Sequence, residues 1–296
     1  MPISMELSIL IITHNSEGYI KNCLNSIFAS KSNPDMEVII VDNFSSDKTL
    51  DTIQSTDSPV KIIRNRENIG FAKANNQAMK IAKGKYIFLL NPDTEIDSDA
   101  LEIFYNYLED KDNANVWCVG GQLVDENGNP SKSYGRFPNL LDVLIEQFGI
   151  KGIALKIFGQ KWISRNRWIG NEIIVPFIMG CNMFIRRETL DKIGHFNESF
   201  FLNYEEVELS WRAKQKGSKS VVLPQVVIKH YSGKSFTNLK EYLNHLWLGQ
   251  VYFFKFTRGK VYFKLVKLIH LIGSLLRHML KMDKNYLSQF RNIKAI

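Results

Sequence analysis

The most informative stretch of the chain is YIFLLNPDTE, residues 86–95. Its five apolar residues are typical of a buried strand, and two carboxylates, Asp93 and Glu95, follow one residue apart. Open α/β sheets bind ligands beyond the carboxyl ends of their strands, and Mg²⁺ or Mn²⁺ prefers oxygen ligands. The stretch therefore predicts a site for a divalent cation and a diphosphate. A plain turn is the alternative, because Asn, Pro and Asp are turn formers.

The residues around this stretch alternate between strand and helix patterns. Short β-rich runs occupy residues 7–12, 36–41, 60–63 and 86–90, and helical spacing occupies residues 19–28, 48–54 and 71–82. This alternation predicts a mainly parallel sheet with helices on both faces. A further helix to about residue 108, a strand near residues 116–120 and a turn at Gly128 follow. Residues 131–171 give a poor signal, and we interpret them as a mobile loop or lid near a site.

Composition places the chain among globular proteins, with 296 residues, 45% hydrophobic and 23% charged. This length fits one large α/β domain or two small ones. The cysteines are Cys23, Cys118 and Cys181, without a CxxC spacing, so neither a zinc site nor a disulfide framework is expected. A reducing cytoplasm is the natural setting, and the N-terminus has no pattern of a secretory signal.

The net charge of +8 is concentrated at the C-terminus, where residues 236–296 hold 11 Lys and Arg against 2 Asp and Glu. Within residues 259–281 a polar helical stripe consists of Lys260, Lys264, Lys267, Ser274, His278 and Lys281. The segment is either a basic amphipathic helix lying on an anionic leaflet or a helix packed on the catalytic domain. Nucleic acid is not expected as a partner, because the basic surplus lacks interleaved stacking motifs.

Short motifs occur in a particular order along the chain. They are IITHN at 11–15, VDNFSSD at 41–47, NIGFA at 68–72, LNPDT at 90–94, GCNM at 180–183, FLNYEEVELSWR at 201–212 and HYSGKS at 230–235. Each motif is weak alone, but the series over residues 6–235 resembles the family-two, GT-A fold, inverting glycosyltransferases that use nucleotide-diphosphate sugars. Within that family the chain looks most like the bacterial rhamnosyltransferases.

The resemblance implies a set of site residues. It places Thr13, Asn15, Asp42, Asn68, Gly70 and Asp93 at the nucleotide, and Asp93, Glu95 and His230 at a Mn²⁺ or Mg²⁺ ion. Asp42 could accept the imide N–H of uracil or thymine, or cap the following helix. Gly70 could bring the backbone close to an anion at a helix start, or serve a simple turn. His230 is either a ligand of the metal or diphosphate or a structural histidine.

Sugar transfer with inversion needs a carboxylate that takes a proton from the acceptor hydroxyl. By resemblance this base is Glu206, with Glu205 as the substitute. The family has Asp at the position of Glu206, and one added methylene moves the carboxylate by about 1 Å. The alternative reading is an acidic first helical turn that suits the helix dipole, and this reading is the one we expect for Glu208.

The expected protein has a GT-A, Rossmann-like fold, a mainly parallel sheet flanked by helices, with a basic amphipathic helical tail. Residues 1–235 form the glycosyltransferase domain, divided into a nucleotide-binding half, 1–115, and an acceptor half, 116–235; residues 236–296 form the tail. The donor is dTDP-rhamnose or a UDP-sugar, and the acceptor is a hydroxyl of a glycan, lipid-linked or not. The enzyme is expected in the cytoplasm, peripheral on the inner face of the plasma membrane.

Two alternatives remain open. One is a catalytically silent module that binds a nucleotide sugar at the membrane surface, and the substitutions of Glu for Asp at Glu95 and Glu206 are its only hints. The other is a nucleotidyltransferase. That enzyme would want a Gly-rich loop with Lys or Arg after the first strand, and residues 14–17, HNSE, offer none.

Overall fold

The computed structural model describes residues 6–31, 35–148, 167–169, 172–231, 239–281 and 284–296. The strands within these ranges are β1 Leu7–Thr13, β2 Met36–Asp42, β3 Val60–Arg64, β4 Tyr86–Leu90, β5 Thr94–Ile96, β6 Val116–Val124, β7 Tyr134–Gly135, β8 Arg167–Ile169, β9 Glu172–Val175, β10 Phe177–Ile178, β11 Asn182–Arg186 and β12 Lys219–His230. The α-helices are α1 Ile20–Phe28, α2 Thr49–Gln54, α3 Phe71–Ile81, α4 Ala100–Glu109, α5 Leu140–Phe148, α6 Arg187–Ile193, α7 Glu205–Gln215, α8 Leu239–Thr257, α9 Gly259–Lys281 and α10 Lys284–Ala295.

One sheet organises the described part of the chain, in the order β3-β2-β1-β4-β11-β6-β12-β9-β8, with β5 paired to β12. The first four strands are parallel, with Thr13 opposite Asp42 and Ile11 opposite Leu90. Strand β11 runs antiparallel between β4 and β6, and β12 is again parallel to β6. The expected mainly parallel sheet flanked by helices, with a helical C-terminal region, is confirmed.

Both faces of the central strands β1 and β4 are covered, which explains why these strands are almost entirely apolar. On one face the side chains of β1 and β4 pack with α1 and α4, for example Ile9 with Leu24 and Phe104 in one core cluster. On the other face Leu10 and Leu89 share a cluster with Ala78 of α3. A strand buried on both sides reads as a continuous hydrophobic run rather than an alternating one.

The sequence interpretation missed a helix. Residues 131–171 were expected to be a mobile loop, but α5 lies inside them, and residues 149–166 and 170–171 are outside the described part. Its start is a reciprocal cap: Asp142 N–H donates to Asn139 Oδ1 at 3.1 Å, and Asn139 N–H donates to Asp142 Oδ2 at 2.9 Å. A capping pair three residues apart before an apolar run is a recognisable helix signal. Arg136 also pairs with Asp142 through two hydrogen bonds.

The C-terminal helices pack on residues that follow β6 in the chain. Phe253, Phe254 and Val251 of α8 are fully buried and share a cluster with Val207 of α7 and Phe177. Helix α8 thus packs on the domain, whereas the two sequence alternatives, membrane-surface helix and packed helix, concern residues 259–281, which form α9.

One side of helix α9 packs against the protein, and the opposite side is exposed to solvent. Val266, His270 and Ser274 are buried, so the polar stripe expected from the sequence is not one solvated face. The buried polar groups find hydrogen-bond partners inside the protein, while apolar residues are left outside. We name these exposed residues the α9 stripe: Val261, Tyr262, Leu265, Leu268, Ile272, Leu275, Leu276, Met279 and Leu280. None of the helices in the described ranges is long and apolar enough to cross a membrane.

The packing of α8 predicts a large difference between two phenylalanines three residues apart. Phe253 is fully buried, and Phe256 is 42% exposed. Phe253→Ala should lower the free energy of unfolding by about 3–5 kcal/mol, because a buried aromatic side chain is replaced by a cavity. Phe256→Ala should cost much less in the same urea titration. Equal losses would show that α8 does not depend on this core.

Candidate active site

Two parallel strands end with a hydrogen-bonded pair of polar residues. Thr13 Oγ1 donates to Asp42 Oδ1 at 3.0 Å, and the Ser45 N–H donates to Asp42 Oδ2 at 3.2 Å. Thr13 and Asp42 are both buried. The helix-capping alternative for Asp42 is not observed, since Asp47 Oδ1 accepts from Thr49 N–H, the first residue of α2. Asp42 is thus held at the carboxyl edge of the sheet.

Asn15 ties together the two loops that leave this edge. Its backbone has a φ of +52°, and its Oδ1 accepts from Ser46 N–H at 2.8 Å. In the loop that follows β2, Phe44 adopts a φ of +69° and is 54% exposed. An exposed aromatic ring two residues from Asp42 is a candidate surface for stacking a base, and the sequence analysis missed it. Its signal is an aromatic residue within a run of turn formers.

Asn68 and Gly70 form the turn before α3. Asn68 Oδ1 accepts from Gly70 N–H at 3.0 Å and from Asn43 Nδ2 at 2.8 Å. Gly70 has a φ of +86°, and a Cβ there would lie 2.6 Å from the carbonyl oxygen of Phe201. That carbonyl accepts the N–H of Phe71, the first residue of α3. Both expected nucleotide residues therefore lie at the carboxyl edge, but part of this helix N-terminus already binds the protein's own backbone.

The pairing of β5 with β12 brings Asp93 and His230 together. His230 lies opposite Thr94 in this ladder, and His230 Nε2 is 3.4 Å from Asp93 Oδ1, an ion-pair distance. Asp93 Oδ1 is buried, and apart from this contact it accepts no hydrogen bond from the described residues. Burial disfavours a charged imidazole, but the contacts with Asp93 and Cys181 outweigh it and raise the pKa of His230 to about 10.

Glu95 has a different environment from Asp93. Its Oε1 accepts from Tyr231 Oη at 2.7 Å and from Asn22 Nδ2 at 3.4 Å. Across the described ranges, no group of three or more His, Cys, Asp and Glu side chains could hold a metal ion. The structure thus assembles Asp93 and His230, whereas Glu95 is engaged elsewhere. The remaining residues of the last motif, 232–235, lie outside the described residues.

Asp93 and His230 nevertheless fit a divalent ion. Asp93 supplies a buried carboxylate oxygen, and 3.4 Å from it His230 supplies an imidazole nitrogen that can coordinate an ion once the ring has lost its proton. Carboxylate oxygen suits Mg²⁺ and Mn²⁺, and imidazole nitrogen suits first-row transition ions. Ions bound with phosphate substrates commonly use only one or two protein carboxylates, since phosphates and water complete the shell.

Glu205 and Glu206 are buried at the start of α7, and neither Oε2 atom has a hydrogen-bond partner among the described residues. Burial raises the pKa of Glu206 to about 6. Hydrogen bonds from backbone N–H groups and the positive charge of Lys132 act in the opposite direction, but their effect is smaller than that of burial. Burial and the neighbouring charge of Glu206 raise the pKa of Glu205 well above its ordinary value. At neutral pH the two carboxyls resist ionising together, which is typical of acid–base pairs.

Glu208 has the structural role expected of it. Arg212 Nε donates to Glu208 Oε1 at 2.9 Å, and Arg212 Nη2 donates to Glu208 Oε2 at 2.9 Å. The same guanidinium donates to the carbonyl oxygens of Gly194 and His195. Both carboxylate oxygens of Glu208 are therefore held by Arg212 within the protein.

Glu206 lines a pocket of about 890 Å³, and Glu205 is not among its lining residues. The other walls include Lys132, Asp142, Asn203, Tyr204 and, from α8, Tyr242 and Leu246. The C-terminal helices therefore contribute to this pocket. Such a volume accommodates a sugar-sized or larger ligand.

A dipeptide connects the pocket with the Asp93–His230 pair. A Cβ on Gly180 would lie 3.9 Å from Glu206 Cγ, and Cys181 Sγ lies 4.0 Å from His230 Nδ1. The neighbouring Asn182 anchors this dipeptide, because its side chain donates to the carbonyl of Gly121 at 2.7 Å and accepts its N–H at 2.9 Å. The candidate base and the candidate metal ligands thus lie on either side of one short segment.

Among curated proteins, the chain is 24% identical over 256 residues to an uncharacterized glycosyltransferase of Methanocaldococcus jannaschii, covering 84% of this chain and 85% of that protein. It is 22% identical over 253 residues to the N-acetylglucosaminyl-diphospho-decaprenol L-rhamnosyltransferase of Mycobacterium tuberculosis, covering 77% of each. Over several curated relatives the chain spans from 17% to 85% of the relative's own length.

A solved structure shows the same fold. The mannosyltransferase of Pyrobaculum calidifontis, in complex with GDP-Man and Mn²⁺, superposes with a TM-score of 0.58 at 18% identity, covering 98% of this chain and 73% of that one. At this identity the likeness concerns the GT-A fold alone. The model of the family "Glycosyl transferase family 2" matches residues 8–194. This match spans more than half of the protein, and the chain belongs to glycosyl transferase family 2.

Proposed function

We propose that the protein is an inverting, metal-assisted glycosyltransferase that moves a sugar from a nucleotide diphosphate to a hydroxyl of a glycan acceptor. The observation that carries this proposal is the position of the segment Gly180–Cys181: a Cβ on Gly180 would lie 3.9 Å from Glu206 Cγ, and Cys181 Sγ lies 4.0 Å from His230 Nδ1. An acceptor in the pocket would then lie beside a donor held at Asp93.

In this proposal the nucleotide binds at the carboxyl edge of the sheet. Each oxygen of Asp42 accepts one hydrogen bond from the protein, and a carboxylate has about four acceptor positions. Capacity therefore remains for the imide N–H of uracil or thymine, with Phe44 available to stack on the base. Thr13 and Asn15 frame the base and ribose, and Asn68 and Gly70 shape the loop at the diphosphate.

The proposal can be extended to the identity of the donor sugar. We favour dTDP-rhamnose, because the mycobacterial relative is named as a rhamnosyltransferase, and we hold a UDP-sugar as the second candidate. The acceptor we propose is a cell-surface glycan precursor, free or lipid-linked, by analogy with the same relative. A donor panel with dTDP-, UDP- and GDP-sugars would identify the nucleotide first and the sugar second.

Glu206 is the proposed general base. It would take the proton of the acceptor hydroxyl while that oxygen attacks the sugar C1 from the face opposite the diphosphate, and the bond from C1 to the diphosphate oxygen would break. A pKa near 6 leaves Glu206 ionised at neutral pH yet basic enough to accept a proton. A metal held by Asp93 and His230 would neutralise the charge of the departing diphosphate.

The α9 stripe is the proposed contact with a membrane. Its exposed apolar residues adjoin Lys260 and Lys264, which are also exposed. An exposed apolar face of this size marks an interaction surface, and cations beside it favour an anionic lipid surface. We therefore propose that the enzyme is cytoplasmic and works on the inner face of the plasma membrane, where a lipid-linked acceptor would be within reach.

Replacing the base tests the chemical step. Glu206→Gln should lower kcat for transfer by about 10²-fold to 10⁴-fold while donor affinity stays unchanged. In the unmodified enzyme kcat/KM should rise with pH through about 6, because the base must be deprotonated. Glu205→Gln is the matched control, and it should retain more activity because Glu205 does not line the pocket.

If Glu205→Gln is inactive and Glu206→Gln is active, the base is Glu205. If both variants transfer at the full rate, the base lies elsewhere. An enzyme that binds donor but neither transfers nor hydrolyses it, with any acceptor, would instead be the silent binding module.

Metal dependence is tested by nucleotide binding. With Mn²⁺, UDP or dTDP at about 100 times its Kd should stabilise the protein by about 2.7 kcal/mol, and EDTA should remove most of this gain. Asp93→Asn should abolish the metal effect. Glu95→Gln should keep it, since Glu95 is bonded to Tyr231; loss in Glu95→Gln alone would reassign the ligand. Equal affinity with EDTA and Mn²⁺ would contradict the metal role.

Vesicle sedimentation tests the α9 stripe. The full chain should bind vesicles rich in anionic lipid, and binding should weaken as salt shortens the screening length. Leu268→Asp should reduce binding by tenfold or more, whereas Ile81→Asp, at a comparably exposed position on α3, should not. If the full chain does not sediment with vesicles and Leu268→Asp instead changes the oligomeric state, the α9 stripe binds a second copy of the chain.

A further inference from the structure

The residues directly before the candidate base have an unusual backbone. Asn203 and Tyr204 have φ values of +67° and +73°, and Glu205 and Glu206 follow at once. Two consecutive non-glycine residues in the left-handed region are strained, and such strain persists only where surrounding structure imposes it. The contacts that hold this turn therefore decide where Glu206 lies.

Helix α8 provides those contacts. A Cβ added to Gly249 would lie 2.7 Å from the carbonyl oxygen of Asn203 and 3.0 Å from the Tyr204 ring. Only a glycine lets α8 approach the turn this closely. The next residue, Gln250, donates from Nε2 to Tyr204 Oη at 3.1 Å. Tyr204 is partly buried, and its ring centroid lies 6.2 Å from that of Phe253 of α8.

The orientation of Gln250 is determined by a chain of hydrogen bonds over the four helices α5, α8, α9 and α10. Gln250 Nε2 also donates to Glu146 Oε2 at 3.0 Å, and a carboxylate only accepts. Gln250 Oε1 must then face His270, so His270 Nε2 carries the hydrogen and donates to it at 2.7 Å. His270 Nδ1 is left as an acceptor for Gln289 Nε2 at 3.5 Å. Burial lowers the pKa of His270 to about 3, so the ring is neutral, as this chain requires.

We propose that the C-terminal helices act as a positioning element for the candidate base, with Gln250 as the residue through which α8, α9 and α10 hold the Asn203–Tyr204 turn. The role of Glu206 as a base rests on the proposed function. The structural role of Gln250 in holding the Asn203–Tyr204 turn is independent of that function.

Two readouts separate these parts. Hydrogen–deuterium exchange of the peptide covering residues 203–208 reports on the turn in the full chain without any substrate. The kinetic constants of transfer report on the base. Donor affinity, measured by nucleotide binding, should stay within twofold of that of the unmodified protein. The residues that hydrogen-bond Gln250, namely Glu146, Tyr204 and His270, are not at the carboxyl edge of the sheet.

Gln250→Met keeps the size of the side chain and removes its amide. We expect exchange in residues 203–208 to quicken by about tenfold or more and kcat to fall by about tenfold, with KM for the donor unchanged. Tyr204→Phe, which removes only the hydroxyl, should act in the same direction with a smaller effect. Gln54→Met, at an exposed site on α2, is the matched control and should change neither readout.

The histidine offers a rescue test. His270→Phe should behave like Gln250→Met, whereas His270→Gln should restore slow exchange and most of kcat, because an amide can again donate to Gln250 and accept from Gln289. A merely space-filling role would give the opposite order, since Phe matches the ring better than Gln does.

Unchanged exchange and unchanged kcat in folded Gln250→Met and Tyr204→Phe would overturn the proposal. If Gln250→Met fails to fold, Tyr204→Phe and the two His270 variants decide. If exchange quickens as expected but the unmodified protein shows no transfer with any donor, the proposed function fails and the positioning of the turn stands.

Discussion

The pairing between β5 and β12 is the constraint on which the site depends. Strand β12 pairs with β6 along most of its length, with β9 at residues 220–222 and with β5 at residues 228–230. Its last residue, His230, thereby meets Asp93, which is 137 positions earlier in the chain. Because β4 leads directly into Asp93, the same ladder connects the N-terminal strands with the part of the sheet that follows residue 116. The two sides of the candidate site cannot separate without breaking the sheet.

Burial without full hydrogen bonding is the second feature of the site. Glu205 and Glu206 each have a carboxylate oxygen that is buried and lacks a hydrogen-bond partner in the described structure, and the buried Asp93 Oδ1 faces His230 Nε2 at 3.4 Å. Leaving a buried acceptor without a hydrogen bond costs roughly 1–3 kcal/mol, and the fold gains nothing from it unless a ligand uses the atom. By contrast both carboxylate oxygens of Glu208, in the same helix as Glu205 and Glu206, accept hydrogen bonds from Arg212. This difference separates candidate functional carboxylates from a structural one.

Helix α9 has a side that packs against α8 and an opposite side that is exposed to solvent. Its inner side carries His270, which hydrogen-bonds Gln250 of α8, and its outer side carries exposed leucines such as Leu268. Amphipathic helices normally turn their apolar side inward. Here the inner side also accommodates polar groups because they satisfy one another, and this leaves apolar residues outside. The two sequence interpretations of this segment, packed helix and interaction surface, are therefore compatible.

Much of the fold was readable from local patterns. The buried parallel strands and the helices between them were recognised because their hydrophobic periodicity is local. Helix α5 was missed, although its cap, Asn139 with Asp142, is visible in the sequence. Candidate site residues were recognised as a set from ordered motifs, and the structure gathers several of them at the sheet edge.

Contacts between distant residues could not be read in this way. The sequence by itself determined the α/β class, the carboxylates at strand ends and the basic charge of the C-terminus, because these properties depend on residue type and short spacing. Only the tertiary structure decided that Glu95 bonds Tyr231, that Glu206 and not Glu205 lines the pocket, and that Gly249 and Gln250 hold the turn before them. Each of these depends on the packing of segments far apart in the chain, which no local periodicity encodes.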